Sequence, residues 1–152
     1  MDNLFEIAEI CLHGSTIDEK LALTHQAWQR LEKGGLNLDQ HWPVAAITQV
    51  KFPEKPQWLA PRFVPNRKLT APGGIAAFFH AIAHIEFVAI YLAWDILYRF
   101  RGLPNRFYQD WLRIADEEAQ HFELIRTHLQ ALGMAYGDLD AHGGLWDHAR
   151  LT

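Results

Sequence analysis

The chain has 152 residues, of which 49% are apolar, 21% charged and 12% aromatic, a size that suits one domain and is short for two. A chain of this length can remove roughly 68–70% of its unfolded surface from water, which excludes disordered, collagen-like and low-complexity classes for most of it. The formal net charge of −4 offers no basic field for generic nucleic-acid binding. A single cysteine, Cys11, fits a reducing compartment, and no apolar run reaches the ~18–20 residues of a membrane span. The acidic start Met1-Asp2-Asn3 is not that of a signal peptide, so a soluble cytoplasmic protein is expected.

Residues 1–38 predict two helices. Leu4, Phe5, Ile7, Ala8, Ile10 and Cys11 make a short amphipathic segment ended by His13-Gly14. Ser15 and Thr16 are N-cap candidates with Asp18 and Glu19 three residues on, a capping-box pattern. Leu21, Leu23, Ala27, Trp28 and Leu31 continue the second helix until Gly34-Gly35 stop it. Residues 39–74 hold six of the seven prolines, so neither a long helix nor a central strand runs there. Trp42, Phe52, Trp58, Leu59, Phe63 and Val64 predict an extended strap pinned to a helical body, with a purely structural strap as the simpler reading.

Two long helices follow, about Gly74 to Phe100 and Asn105 to Leu132, within a core hairpin of residues 75–133. Between them Gly102 suits a left-handed turn and Asn105 a cap, and a linker this short makes the helices antiparallel neighbours. Residues 134–152 read as a loop with Gly137, Gly143 and Gly144, and then the start of a third bundle helix from Leu145.

Steps of four and three along the first long helix give Ile75, Phe79, Ile82, Glu86, Ala89, Ala93, Ile96 and Phe100. The second gives Tyr108, Trp111, Ala115, Glu118, Phe122, Ile125, Leu129 and Leu132. One carboxylate interrupts each apolar seam, so both glutamates are expected in the core. Glu86 precedes Gly102 by sixteen residues and Glu118 follows it by sixteen. At about 1.5 Å rise per residue, each lies roughly 24 Å from the turn, which levels the two carboxylates. Buried facing carboxylates require a proton or a cation. His121, three residues after Glu118, favours the cation. A Glu from one helix and Glu-x-x-His from its neighbour form half of a di-iron or di-manganese carboxylate site, and such donors suit Fe(II) or Mn(II). A buried ion pair with a basic residue is the alternative.

His80 and His84, on a face continued by Phe87, Tyr91 and Asp95, read as packing against the N-terminal helices or the strap. Glu117 falls off the seam. Glu123 and His128 are expected in solvent. His142 and His148 flank the third helix with Trp146 and Asp147, and His148 is a candidate further ligand or outer-shell partner. Arg62, Arg67 and Lys68 read as a solvated basic edge, and Cys11 as a buried apolar residue. Tyr91, Tyr108 and Trp111 could carry or suffer oxidation beside a redox centre, and packing explains them equally well.

The runs His80-Ala-Ile-Ala-His-Ile-Glu86, Trp111-Leu-Arg-Ile-Ala-Asp-Glu-Glu118-Ala-Gln-His121-Phe and His142-Gly-Gly-Leu-Trp-Asp-His148 resemble an uncharacterised ferritin-like family, domain of unknown function 455. That family is distantly related to the di-iron tRNA hydroxylases. The resemblance covers nearly the whole chain. It implies one all-α, ferritin-like helix bundle over residues 1–152, with Glu86, Glu118 and His121 as metal ligands. It also implies a second Glu and a second Glu-x-x-His in a C-terminal half beyond Thr152. The bundle is therefore expected to be completed by self-association or by that missing half. The function expected is a di-iron, or di-manganese, oxidase or oxygenase acting on a small-molecule substrate. An iron-handling ferroxidase and a non-catalytic module with a buried carboxylate pair are the alternatives. No membrane partner is expected, and tRNA finds no basic stripe.

Overall fold

The computed structural model describes residues 2–14, 16–44, 52–53, 55–59 and 68–146. The architecture is all-α. Its elements are α1 (Leu4–His13), α2 (Ile17–Glu32), β1 (Trp58–Leu59), α3 (Gly74–Arg99), α4 (Asn105–Ala131) and β2 (Ala141–His142). Residues 144–146 open a further helical turn. The strap residues Pro61, Arg62, Phe63, Val64, Pro65 and Arg67, together with Ser15, Asp147 and His148, lie outside the described residues.

Local chemistry fixes most helix ends. The Asn3 side chain accepts hydrogen bonds from the amides of Phe5 at 2.9 Å and Glu6 at 3.4 Å, which caps α1. Thr16 and Glu19 form the expected capping box at the start of α2. At the start of α3, Gly74 packs so tightly that a Cβ there would stand 2.0 Å from the Lys68 carbonyl oxygen. Gly102 adopts φ +77°, the left-handed turn the sequence predicts. Asn105, expected as a cap, is instead the first helical residue of α4. Pro104 precedes it and its carbonyl accepts from the Phe107 amide.

Two compact units emerge from the contacts. The first combines Met1–Pro53 with Ile90–Ala119. Its core sets Leu4, Phe5, Ile7, Ala8 and Leu12 of α1 and Leu21 and Ala27 of α2 beside Ile90, Trp94, Leu97, Tyr98, Tyr108 and Leu112. Phe5 meets Tyr108 edge-on with ring centres 5.5 Å apart. The Trp94 indole N–H donates to the Thr24 hydroxyl at 3.0 Å. Gln40 clamps the α3–α4 turn: its Oε1 accepts from the Gly102 amide at 2.6 Å and the Tyr108 hydroxyl at 3.0 Å, while its Nε2 donates to the Leu103 carbonyl. Phe52 lies against Tyr91 with centroids 4.7 Å apart, so this part of the strap is held by an aromatic as the composition predicts.

The second unit combines Glu54–Ala89 with Gln120–Thr152. Here β1 pairs in parallel with β2, Trp58 opposite Ala141 and Leu59 opposite His142. Two-residue strands leave no periodic signal, and the sequence did not announce them. Phe87 and Phe122 pack with centroids 5.2 Å apart, and Tyr136 covers both.

The seam expected along α3 is rotated in the structure. The buried side is His80, Ala83, His84, Phe87, Tyr91, Trp94 and Tyr98, whereas Ile75 and Phe100 are exposed. On α4 the buried side is Tyr108, Leu112, Ala115, Ala119, Phe122 and Leu129, and Leu132 is exposed. The α3 seam is therefore turned toward a flank, whereas on α4 four of the eight expected positions, Tyr108, Ala115, Phe122 and Leu129, are buried as expected; Glu86 and Glu118 are half-buried instead of sitting fully in the core. The cause is aromatic bulk. Tyr91, Trp94 and Tyr98 bury far more area than the alanines of the predicted seam. By length and composition α3 could also cross a membrane. Counting unbroken apolar runs missed this, because histidines and Glu86 interrupt them.

Candidate metal centre

The two long helices run antiparallel in the second unit. Descending α3 while ascending α4, Phe87 meets Phe122, Glu86 meets His121 and Phe79 meets His128. The count to Gly102 levels Glu86 with Glu118; the observed register sets Glu86 beside His121, three residues further along α4. His121 Nδ1 stands 3.7 Å from Glu86 Oε2. Glu118 lies one turn earlier on the same unbroken helix as His121. Glu86, Glu118 and His121 each offer one ligand atom, all within 4.8 Å of one another. Donors at about 2.1 Å from a shared ion are separated by up to roughly 4.2 Å, so closing the group needs small side-chain shifts only.

The burial of the three is graded. The Glu86 side chain is 23% exposed and that of His121 is 53% exposed. A charged pair this open contributes at most about 1 kcal/mol as an ion pair, so the juxtaposition is weakly explained by stability. Two carboxylate donors and one imidazole are a donor set that could hold a divalent cation.

Neighbouring histidines are structural. His84 donates from Nε2 to the His142 carbonyl at 2.8 Å, and its Nδ1 faces the Tyr136 hydroxyl at 2.9 Å. Burial pushes its pKa down to about 4, the His142 carbonyl opposing that shift. His80 accepts at Nε2 from the amides of Gly137 at 3.0 Å and Leu139 at 3.4 Å. Both therefore hold the 136–142 segment, and His84 also meets the strap through Trp58, centroids 4.9 Å apart. The expected packing against the strap is met by this contact of Trp58 with His84. His142 is half-buried in β2, with a ring Nδ1 that has no hydrogen-bond partner among the described residues. Glu117 points to solvent beside Arg113. Glu123 is half-buried, not fully solvated, and His128 is exposed with its ring 4.5 Å from that of Phe79.

Sequence reading missed two buried polar groups in the first unit. His25 Nδ1 and Asp116 Oδ1 are 2.5 Å apart, with Asp116 almost fully enclosed. Lys20 is wholly buried. An acidic run such as Asp116-Glu117-Glu118 does not say which carboxylate turns inward, and the partner of Asp116 is ninety-one residues away.

Fold and site together define an all-α protein whose two long helices bring two glutamates and one histidine within reach of a single ion. The chain belongs to the family described as "Protein of unknown function (DUF455)", whose model matches residues 13–152. It is also similar to an uncharacterized protein of Haemophilus influenzae, 49% identical over 108 residues that cover 66% of this chain and 38% of that protein. The chain thus spans about two fifths of the length of this curated relative. No solved structure matches it.

Proposed function

We propose that the chain carries one half of a ferritin-like two-metal carboxylate site serving an oxidase or oxygenase reaction on a small molecule. The carrying observation is the convergence of Glu86, Glu118 and His121 within 4.8 Å. On this reading residues 1–152 are one ferritin-like domain, distantly akin to the di-iron tRNA hydroxylases, acting in the cytoplasm. Glu86 and Glu118 hold and charge-balance the cations, and His121 is a terminal ligand. Two ferrous ions, with manganese as the alternative, would supply dioxygen activation when bound. The residues themselves fix the donor geometry, and Phe87 and Phe122 dry its inner side.

The test is metal content per chain after anaerobic reconstitution of untagged protein with Fe(II), for the natural chain and for Glu118→Ala. About one iron per natural chain is expected, and its loss in the variant with helix content by circular dichroism unchanged. Full retention by Glu118→Ala overturns the assignment. A second reading rests on the 3.7 Å approach of His121 to Glu86: a half-exposed ion pair in a non-catalytic module. It requires that no metal binds to either form.

A further inference from the structure

Two histidines of α3 fasten the 136–142 segment in the second unit, and they do so in opposite chemical senses. His84 gives a proton to the segment, from Nε2 to the His142 carbonyl. His80 takes from it. Its Nε2 accepts the Gly137 amide at 3.0 Å and the Leu139 amide at 3.4 Å. A backbone amide only donates, so this nitrogen carries a lone pair and the closed arrangement requires a neutral ring. The residue is 1% exposed and its ring stacks on Tyr136, centroids 5.3 Å apart. Tyr136 in turn covers Phe87 and Phe122.

We propose that His80 is a proton-operated latch, which holds the 136–142 segment over Phe87 and Phe122 at neutral pH and releases it on taking up one proton at Nε2. The proposal stands apart from the metal-binding reading. A proton on Nε2 turns the acceptor into a donor that faces two donors, and it places a cation where water does not reach. The titratable and charged groups around the latch are few. His84 shares its helix. The segment brings Tyr136, His142 and the exposed Asp138 and Asp140, and Asp138 accepts from the Ala135 amide at 2.9 Å. Lys55 approaches Gly137 from the strap. On α4, Arg126 lies over Phe122 and His128 against Phe79.

The sign follows from linkage. A histidine in water takes up its second ring proton near pH ~6.5, whereas the closed ring refuses it. Below that pH the open form binds more protons than the closed one, and the open-to-closed ratio climbs toward about tenfold per unit of acidification. Above it both forms are neutral at His80, and the latch does not respond.

Amide hydrogen exchange read by nuclear magnetic resonance from about pH 7.5 to about pH 5 tests this, with the intrinsic exchange rate at each pH divided out. The comparison is His80→Gln, whose side-chain oxygen accepts both amides and takes up no proton. Opening of Gly137 and Leu139 in the natural chain is expected to exceed that in the variant by a factor that grows about tenfold per pH unit below about 6.5, with the α3 amides of this unit unmoved. His84 fastens the same segment, so this difference between the two chains is what belongs to His80. Equal pH dependence in both chains overturns the latch. An equal rise at the α3 amides overturns it too, because the whole unit then unfolds. Where the variant does not fold, the nitrogen resonances of the His80 ring in the natural chain decide. A ring that gains its proton in step with the opening of Gly137 supports the latch, and one that gains it while Gly137 stays protected overturns it.

Discussion

The Lys20 ammonium stands 3.7 Å from the centre of the Tyr91 ring and donates a hydrogen bond to the Cys11 carbonyl, near the C-terminal end of α1. A wholly buried lysine is costly. The arrangement offsets part of that cost by setting a cation over an aromatic face and against the negative end of a helix. Burial still lowers the Lys20 pKa to about 8, and burial raises the Cys11 thiol to about 12, with Lys20 and Thr24 opposing the latter shift.

These shifts predict a pH dependence with a defined sign. Between pH 8 and about 10.5 the unfolded chain binds a proton at Lys20 that the folded chain has released, so folding stability rises across that window. Cys11 acts oppositely: from pH 9 to about 12 the folded thiol keeps a proton that the unfolded chain loses, and stability falls. Urea titrations of Cys11→Ala isolate the lysine, and their midpoint should climb between pH 8 and 10.5. A flat midpoint in that variant would mean that Lys20 is solvated.

Replacing Lys20 by methionine keeps the length and removes the charge. At neutral pH Lys20→Met should be more stable than the natural chain by about 1–3 kcal/mol, since a buried cation gives way to an apolar chain of similar volume. Thermal unfolding reads the difference. A loss of stability would show that the bond to the Cys11 carbonyl outweighs desolvation.

Thr24 accepts from the Trp94 indole and donates to the Lys20 carbonyl at 2.7 Å. Thr24→Val keeps the shape and strands the buried indole N–H, at a cost of about 1–3 kcal/mol. Thr24→Ser should recover most of that in the same denaturant experiment, because it restores the hydroxyl.

For the metal group, His121→Ala should weaken Mn(II) binding by at least about tenfold, a loss of about 1.4 kcal/mol, with little change in stability, since the ring is half-exposed. Glu117→Ala, one residue away from Glu118 but facing solvent, should leave affinity unaltered. Isothermal titration compares them, and equal losses in both variants would deny His121 a ligand's role.

The α3–α4 turn gives a further expectation. Gln40→Ala removes the acceptor for the Gly102 amide and the Tyr108 hydroxyl and the donor to Leu103, and should destabilise by about 1–2 kcal/mol. Near-natural melting would show that the turn stands without its clamp.

Helix boundaries were legible in the sequence wherever a local signal sets them. Thr16 with Glu19, Gly34, Gly102 and Gly133 all act within one turn of their own position. Residue counting across the short linker came within one turn: it levels Glu86 with Glu118, and the structure sets Glu86 beside His121. The rotation of the core face was not legible. Whether alanines or tyrosines face inward on α3 depends on partners in α1, α2 and the 136–142 segment, distant in sequence. Lys20 and the His25–Asp116 pair escaped for the same reason: burial of a polar group is a property of what surrounds it.

The two-residue pairing of β1 with β2 carries a consequence for the order of folding. Its bonds, from the Ala141 amide to the Gln57 carbonyl at 2.9 Å and from the Gly143 amide to the Leu59 carbonyl at 3.0 Å, join segments separated by both long helices. Closing so long a loop from an open chain costs about 4 kcal/mol of entropy beyond a constant, more than two such bonds return at about 1 kcal/mol each. The pairing becomes favourable once α3 and α4 have formed their hairpin and shortened the gap. The amides of Ala141 and Gly143 are then the last to gain protection on refolding. In hydrogen exchange they should open together and before those of α3, as one clasp at the end of the pathway.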